Sequence, residues 1–482
     1  MSKTTKKLLI SINICILLTA GASTIAAEEK SRPNILFIAI DDMNDWTTVF
    51  DEDNPIQTPN LERLAKRGMF FSKAYCSVAA CVPSRTAILS GLSPMSTGCY
   101  SNGGSPRVWN HKSNVVSLPQ YFRDHGYQVQ GAGKIFGDHW IHGGDDPRGT
   151  DYSWDDFQKF VDSDSPHLNG YTPDQVKPLS KRAFDWGEVA RREQMGDEKM
   201  LDYVSRTMEE KWEKPMFLAA GIFKPHLPFY APPEVFERYP MDDVVMPTMP
   251  ENDLEDVPGR GRGMAHTEPW IYTNVIQHEA PDPRSLKRMV QCYQASADYA
   301  DSVVGRLLDK LDASGKADNT IIILWSDHGY HLGDKESCVK FTLWEKANRV
   351  PLIIVAPGVT KPGTVCDAPV SLLDIYPTLA ELGGLPPKAD NDGHSLLPLL
   401  RNPQAGWEHF PIMTMGKGNH AIRTPAYRYI RYGDGSEELY SDEDEWNIDN
   451  LADDPEMKKV IERHRTLLDE QLSRGGAGVQ GR

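Results

Sequence analysis

The sequence predicts an α/β protein: a mostly parallel sheet sandwiched by helices, with a smaller C-terminal α+β subdomain. Three observations predict it. Short apolar runs alternate with helical patterns, the arrangement of a parallel sheet covered on both faces. Several runs end in polar residues, and such sheets bind ligands beyond the carboxyl ends of their strands. From about residue 401 the texture changes to short Tyr- and Arg-rich strands followed by a helix. The expected organisation is a leader at 1–27, a main domain at 28–400 and the subdomain at 401–482.

The leader comes first. Lys3, Lys6 and Lys7 precede a mostly apolar stretch from Leu8 to Ala20, and Ala26-Ala27 offers a small-residue cleavage site before Glu28. This reads as a secretory signal peptide, with an uncleaved anchor as the alternative. The stretch is short for a membrane span. The mature chain is therefore expected to be secreted or periplasmic, with no stable membrane insertion after cleavage.

A hydrophobic fraction of 40% and a charged fraction of 25% exclude a wholly disordered or collagen-like chain. The charge balance, 52 − 68 = −16, argues against a nucleic-acid partner. A local basic cleft can still take an anion. Apart from Cys15 in the leader, the cysteines are too sparse for a disulfide scaffold.

Residues 33–40 (PNILFIAI) are almost continuously apolar, as a buried parallel strand should be, and run into Asp41-Asp42. A helix follows, with Thr58 as cap, Pro59 in its first turn and Gly68 as its stop. Residues 128–133 run into Lys134, and 215–220 lead to Lys224 and His226. Residues 285–313 place Leu286, Met289, Val290, Tyr293, Ala297, Val304, Leu307, Leu308 and Leu311 at helical spacing. Residues 320–325 run into Asp327-His328, and 351–355 form a fifth strand-like run. In the subdomain, 421–432 and 438–440 are strand-like and 455–472 read as a terminal helix, with a tail from Gly475.

The sharpest motif is Cys81-Val82-Pro83-Ser84-Arg85, continuing to Leu89-Ser90-Gly91. Pro83 suits the first turn of a helix, which puts Cys81 at a helix N-terminus where backbone N–H groups favour an anion. Asp41, Asp42 and Asp327, at two strand ends, make a hard-oxygen cage suited to Ca2+.

The C-x-P-S-R…L-S-G pattern resembles the signature of type I sulfatases, whose cysteine is oxidised after translation to formylglycine (3-oxoalanine). The resemblance implies an alkaline-phosphatase-like fold and a sulfuric ester hydrolase. Hydrated, the aldehyde carries two hydroxyls: one attacks sulfur, and the other lets the sulfate adduct collapse and regenerate the aldehyde. A serine would stop at a stable sulfate ester.

Further segments resemble the iduronate-2-sulfatase-like branch: Lys224-Pro225-His226-Leu227-Pro228-Phe229, Ser326-Asp327-His328-Gly329, Val339 to Glu345, and Gly133-Lys134-Ile135-Phe136. Residue by residue, this implies calcium on Asp41, Asp42, Asp327, His328 and the converted Cys81. His328 stays open as a direct or an indirect ligand. Lys134 and Lys340 would meet the sulfate oxygens, Arg85 the nucleophile, and His226 would be the acid to the leaving oxygen. Lys224 would add a substrate contact.

The resemblance implies exo-acting desulfation of a sulfated oligosaccharide or polysaccharide, with O-sulfate on a uronic acid or a neighbouring sugar. It also implies a formylglycine-generating or sulfatase-maturing enzyme as partner. Two rival readings stay open: an enzyme of the same superfamily acting on phosphate or phosphonate esters, and a catalytically dead glycan-binding protein.

One position departs from the branch. Its G-K-[IV]-F element continues with a histidine that contacts the formylglycine, and Gly137 stands there instead. His139 is the expected replacement, with a vacant role as the alternative. Finally, Arg107 and Trp109 in the loop 100–111 are expected to shape a sugar subsite, with Arg107 on a carboxylate or second sulfate. A packed Trp in an ordered loop is the alternative.

Overall fold

Eight strands form the central sheet of the computed structural model, which describes residues 32–103, 108–109, 114–137, 145–159, 186–189 and 191–475. The leader at 1–27 and most of the C-terminal tail lie outside these residues. In chain order the strands are β1 (Asn34–Asp41), β2 (Met69–Phe71), β3 (Gln128–Gly133), β4 (Asp156–Gln158), β5 (Met216–Pro225), β6 (Thr320–Ser326), β7 (Leu352–Val355) and β8 (Thr364–Cys366). They lie side by side as β8-β2-β7-β6-β1-β5-β3-β4. Only β7 runs against its neighbours. The sheet is mostly parallel, as the apolar runs predict.

β1 and β6 are apolar nearly throughout because both of their faces are covered. Leu36, Ile38 and Ile40 point into one core layer, while Ile35, Phe37 and Ala39 point into the other. The first layer is closed by α3 (Gly196–Glu209) and α4 (Leu286–Ala313). The second is closed by α2 (Cys81–Ser90) and α5 (Ile375–Leu382). α4 starts where the sequence puts it: the Ser285 hydroxyl accepts the Arg288 N–H at 3.2 Å.

Helix α1 (Pro59–Ala65) differs from expectation in its cap. The Thr58 hydroxyl caps nothing and instead accepts the Val49 N–H at 3.1 Å. The Asp301 carboxylate of α4 does the capping, accepting the N–H of Asn60 at 3.1 Å and of Leu61 at 2.8 Å. A carboxylate from a distant helix satisfies the same orphan donors and favours the positive end of the helix dipole.

The C-terminal part is a four-stranded antiparallel sheet, β9 (Ile412–Thr414), β10 (His420–Arg423), β11 (Tyr427–Arg431) and β12 (Glu437–Ser441), with α6 (Lys458–Gly475). The run 421–432 is two strands with a turn at Thr424 to Ala426, not one. Ile422, Tyr429 and Leu439 pack under α6 through Ile461 and Leu468. On the opposite face Met413, Ala421, Ile430 and Tyr440 pack on Tyr75, Leu343 and Trp344 of the main domain. Buried Arg428 closes this interface, donating to Glu345 Oε2 at 2.5 Å and to the Leu343 carbonyl at 2.5 Å.

Candidate active site

β1, β3, β5 and β6 carry their polar ends to one edge of the sheet. β1 ends in Asp41, and Asp42 follows with φ 63°. That left-handed backbone is uncommon for a residue with a side chain. It is held from three directions. The Asp42 N–H donates to Asp327 Oδ1 at 3.2 Å, and the Met43 N–H to Ser326 Oγ at 2.9 Å. From α4, the Tyr293 hydroxyl donates to the Asp42 carbonyl at 2.7 Å and accepts the Asn44 N–H at 3.0 Å.

β3 ends at Gly133, φ 79°, where a Cβ would lie 2.0 Å from the Gly221 carbonyl oxygen of β5. Only glycine permits that approach, and it brings Lys134 on to Asp41, with which its ammonium pairs. β6 delivers Asp327 and His328, both fully buried.

Cys81 is the first residue of α2, a buried free thiol. Its Sγ lies 3.1 Å from Lys340 Nζ, 3.3 Å from His328 Nε2 and 4.0 Å from Asp42 Oδ1. One helical turn on, Arg85 shares its face. Its Nε donates to Asp327 Oδ2 at 2.7 Å, its Nη2 to Asp41 Oδ1 at 3.3 Å and its Nη1 to the Lys134 carbonyl at 2.5 Å. Arg85 therefore ties together carboxylates from two strands. Lys340 Nζ donates to Asp42 Oδ1 at 2.7 Å.

Burial alone would raise the Asp41 carboxyl. Lys134 foremost, then His226, Arg85 and Lys340, hold it well below its ordinary value. Asp42 is the opposite case: burial pushes it up to about 7 against Lys340 and His328. Burial raises the Cys81 thiol against Lys134 and Lys340, and lowers His328. Burial thus favours the neutral imidazole at His328. Its Nδ1 donates to the Gly329 carbonyl at 3.0 Å, so Nε2 turns a lone pair toward Cys81, Asp42 and Asp327.

These residues fit a divalent cation. Donor atoms of Asp41, Cys81, Asp327 and His328 lie within 4.8 Å of one another, as do those of Asp41, Asp42, Cys81 and His226. Asp42 Oδ2 is buried with no hydrogen-bond partner, a costly state that a cation would relieve. Three carboxylates and one neutral imidazole are a largely hard donor set. The thiol of Cys81 stands where the oxygen of a converted side chain would be.

Residues 33–385 match the family model described as Sulfatase. The chain is a sulfatase of this family. It is thus an enzyme that hydrolyses sulfate esters. Residues 333–474 also match the model described as N-sulphoglucosamine sulphohydrolase, C-terminal. A sulfatase of Formosa agariphila is 35% identical over 92% of this chain and 87% of its own length. Human iduronate 2-sulfatase is 30% identical, covering 79% of this chain and 74% of its own. A phosphonate monoester hydrolase from Silicibacter pomeroyi has the same fold, TM-score 0.76 at 21% identity over 93% and 97% of the two chains.

In the sulfatase, the candidates Asp41, Asp42, Cys81, Arg85, Lys134, His226, Asp327, His328 and Lys340 converge on one point. Two others do not behave as expected. Lys224 is fully buried and donates to the Pro228 carbonyl at 2.7 Å and the His226 carbonyl at 3.3 Å. It braces the turn that carries His226. Trp109 is 4% exposed, donates to Thr86 Oγ1 at 3.2 Å and packs edge-on against Phe136. It is a core residue, not a stacking platform for a sugar. Arg107 and His139 lie outside the described residues.

The sequence reading missed Asn102, which lies on an exposed loop and accepts the Val82 N–H at 3.1 Å, next to Cys81. It missed Tyr293 too, whose only signal is apolar helical spacing. Gly137 has a definite place: a Cβ there would lie 2.4 Å from Val82 Cα. No side chain fits at 137 while the loop keeps this path.

Proposed function

We propose that the sulfatase removes O-sulfate from sulfated glycans, acting from the chain end on a 2-O-sulfated uronic acid or a neighbouring sugar. The reading rests above all on Cys81 at the start of α2, ringed by Asp42, His328 and Lys340. Similarity to human iduronate 2-sulfatase and the K-P-H-L-P-F segment support the sugar class. The leader-like residues 1–27 support export, to the medium or the periplasm.

Conversion of Cys81 by a maturing enzyme would supply paired hydroxyls for attack on sulfur and release of sulfate. Calcium, held by Asp41, Asp42, Asp327 and His328, would supply positive charge that acidifies an adjacent hydroxyl and offsets charge on the sulfate.

The remaining work falls to the chain's own side chains. Lys340 holds a persistent ammonium beside residue 81: burial opposes its charge, but Asp42, Cys81 and Asp41 keep its pKa above the usual value. Lys134 stands across Asp41 from it. Together they face the charge that spreads over the sulfate oxygens in the transition state. Arg85 is buried among carboxylates and carbonyls, so it fixes the angle of Asp41 and Asp327 and does not bind substrate. His226 Nδ1 donates to the Leu227 carbonyl at 2.5 Å. That bond orients the ring, and in the imidazolium form Nε2 is the nitrogen that gives its proton to the leaving sugar oxygen.

The test has two parts. Mass spectrometry of the peptide containing Cys81, from protein made with a maturing enzyme, should show a loss of about 18 Da. That protein should then desulfate defined sulfated oligosaccharides faster than it cleaves phosphate or phosphonate monoesters. Preference for the phosphorus esters, or glycan binding without turnover, would replace the reading.

A further inference from the structure

We propose that His331 is a positioning residue for Lys340, acting through a buried Asp334–His331–Thr342 relay. The inference rests on the reading of Lys340 as the ammonium beside residue 81 that meets sulfate. His331 Nδ1 donates to the Asp334 carboxylate, which also accepts the Leu332 N–H at 2.9 Å. His331 Nε2 accepts the Thr342 hydroxyl at 2.6 Å. A carboxylate can only accept, so it sets the imidazole tautomer and turns the Nε2 lone pair to the threonine.

The order of groups is that of a carboxylate–imidazole–hydroxyl nucleophile. Burial rules out that use here. His331 and Thr342 are 0% exposed and Asp334 is 2% exposed, so no ester reaches the hydroxyl. The relay reaches a loop instead. Its two ends hold Val339 to Thr342 from one side: the His331 N–H donates to the Val339 carbonyl at 3.0 Å, and the His331 ring holds Thr342. Lys340 lies between those anchors.

That loop needs holding. Phe341 has φ 75°, a backbone region that a bulky side chain rarely adopts. Such a conformation persists only where its surroundings over-determine it. The Phe341 N–H donates to the Ala79 carbonyl at 3.1 Å, two residues before Cys81, and Asn348 Nδ2 donates to the Thr342 carbonyl at 3.1 Å. With the relay intact, the turn at Phe341 aims Lys340 Nζ at Asp42 and Cys81. Without it, the loop can relax toward ordinary backbone and withdraw the ammonium.

A double-mutant cycle tests this in the matured enzyme. Thr342→Val deletes the hydroxyl and keeps the packing volume, Thr342→Ser restores the hydroxyl, and His331→Ala removes the hub. Each is made alone and in the Lys340→Ala background. The readouts are kcat on an aryl sulfate, inhibition by inorganic sulfate, and bound metal. Thr342→Val and His331→Ala should each lower kcat and weaken sulfate inhibition about tenfold with metal retained, Thr342→Ser should recover most of it, and neither loss should recur once Lys340 is gone. The same factor in both backgrounds would overturn the inference alone, because Lys340 would still matter. A neutral Thr342→Val would do so too, and it is the variant that settles matters if His331→Ala does not fold. A neutral Lys340→Ala would overturn both the inference and the role given to Lys340.

Discussion

Residue 81 has two sides, and they are built differently. On one side Asp41, Asp42, Asp327, His328, Arg85 and Lys134 are buried, come from strand ends and a helix, and bond to one another. On the other, His226 is half-buried on a turn between Pro225 and Pro228, and Asn102 reaches in from an exposed loop. The turn follows directly on the end of β5, and Lys224 and the Leu227 carbonyl brace it. The contrast teaches a division of labour. Chemistry on sulfur needs charges fixed to fractions of an ångström, and a sheet edge supplies that rigidity. On the proposed reading His226 meets the group that carries the sulfate from a turn, and turns change at less cost to the fold.

The largest effects should come from breaking the buried side. Cys81→Ala and Asp327→Asn should bring turnover to background on every substrate, glycan or aryl sulfate. Asp327→Asn should also lose its metal, read by elemental analysis of the purified protein. Full activity in a metal-stripped sample would break the calcium half of the reading.

Next comes the open side. His226→Ala should slow glycan desulfation by about 10²–10⁴, the ordinary worth of a general acid, and slow an activated aryl sulfate far less. A good leaving group needs little protonation. Equal losses on both substrates would remove the proton-donor role and make the two sides of the site alike.

A smaller effect sharpens the buried side without chemistry. Asp42 has a folded pKa raised from 3.8 to about 7, burial being the main cause. A carboxyl with a raised pKa binds a proton more tightly folded than unfolded, so stability falls as pH rises through that window. In metal-free protein, the raised pKa of Asp42 should cost stability as pH rises from about 4 to about 7. The check is thermal melting of wild type against Asp42→Asn. Wild type should lose more stability over this range, and calcium should restore the difference. Parallel curves would mean that Asp42 carries no such strain.

What was legible in the sequence follows the same division. Strands covered on both faces are apolar runs, and a polar residue ending such a run announces where the sheet stops and the site begins. Asp41, Lys134 and Asp327 could be read that way. Lys224 and Trp109 could not. Each side chain suits a ligand as well as it suits a carbonyl or a core, and only the fold decides between them. The cap of α1 failed for a similar reason: Thr58 has the right chemistry at the right place, yet Asp301, 240 residues from Leu61, reaches the donors first. The edge strands β4 and β8, and β2 beside β8, are only three residues each, too short to show any period. The Asp334–His331–Thr342 relay has no spacing signal because it exists only once the Phe341 turn has formed.

The smallest expected effect lies where the two sides meet, at Gly137. The related branch carries a histidine at this place, and here a Cβ would collide with the backbone of Val82 at 2.4 Å. The role cannot be restored by Gly137→His without moving the loop or the start of α2. The next histidine along the chain is His139, and we assign the task of assisting the residue 81 hydroxyl to it. On the proposed reading a calcium ion would already acidify that hydroxyl, so the loss should be modest. His139→Ala should lower kcat about tenfold on glycan and aryl sulfate alike and leave KM unchanged, because a group that acts on the nucleophile is blind to the leaving group. A rise in KM for the glycan alone would move His139 to the sugar-recognising side. No change at all would leave the hydroxyl to the buried cluster, and the boundary between chemistry and recognition would then run between Gly137 and His139.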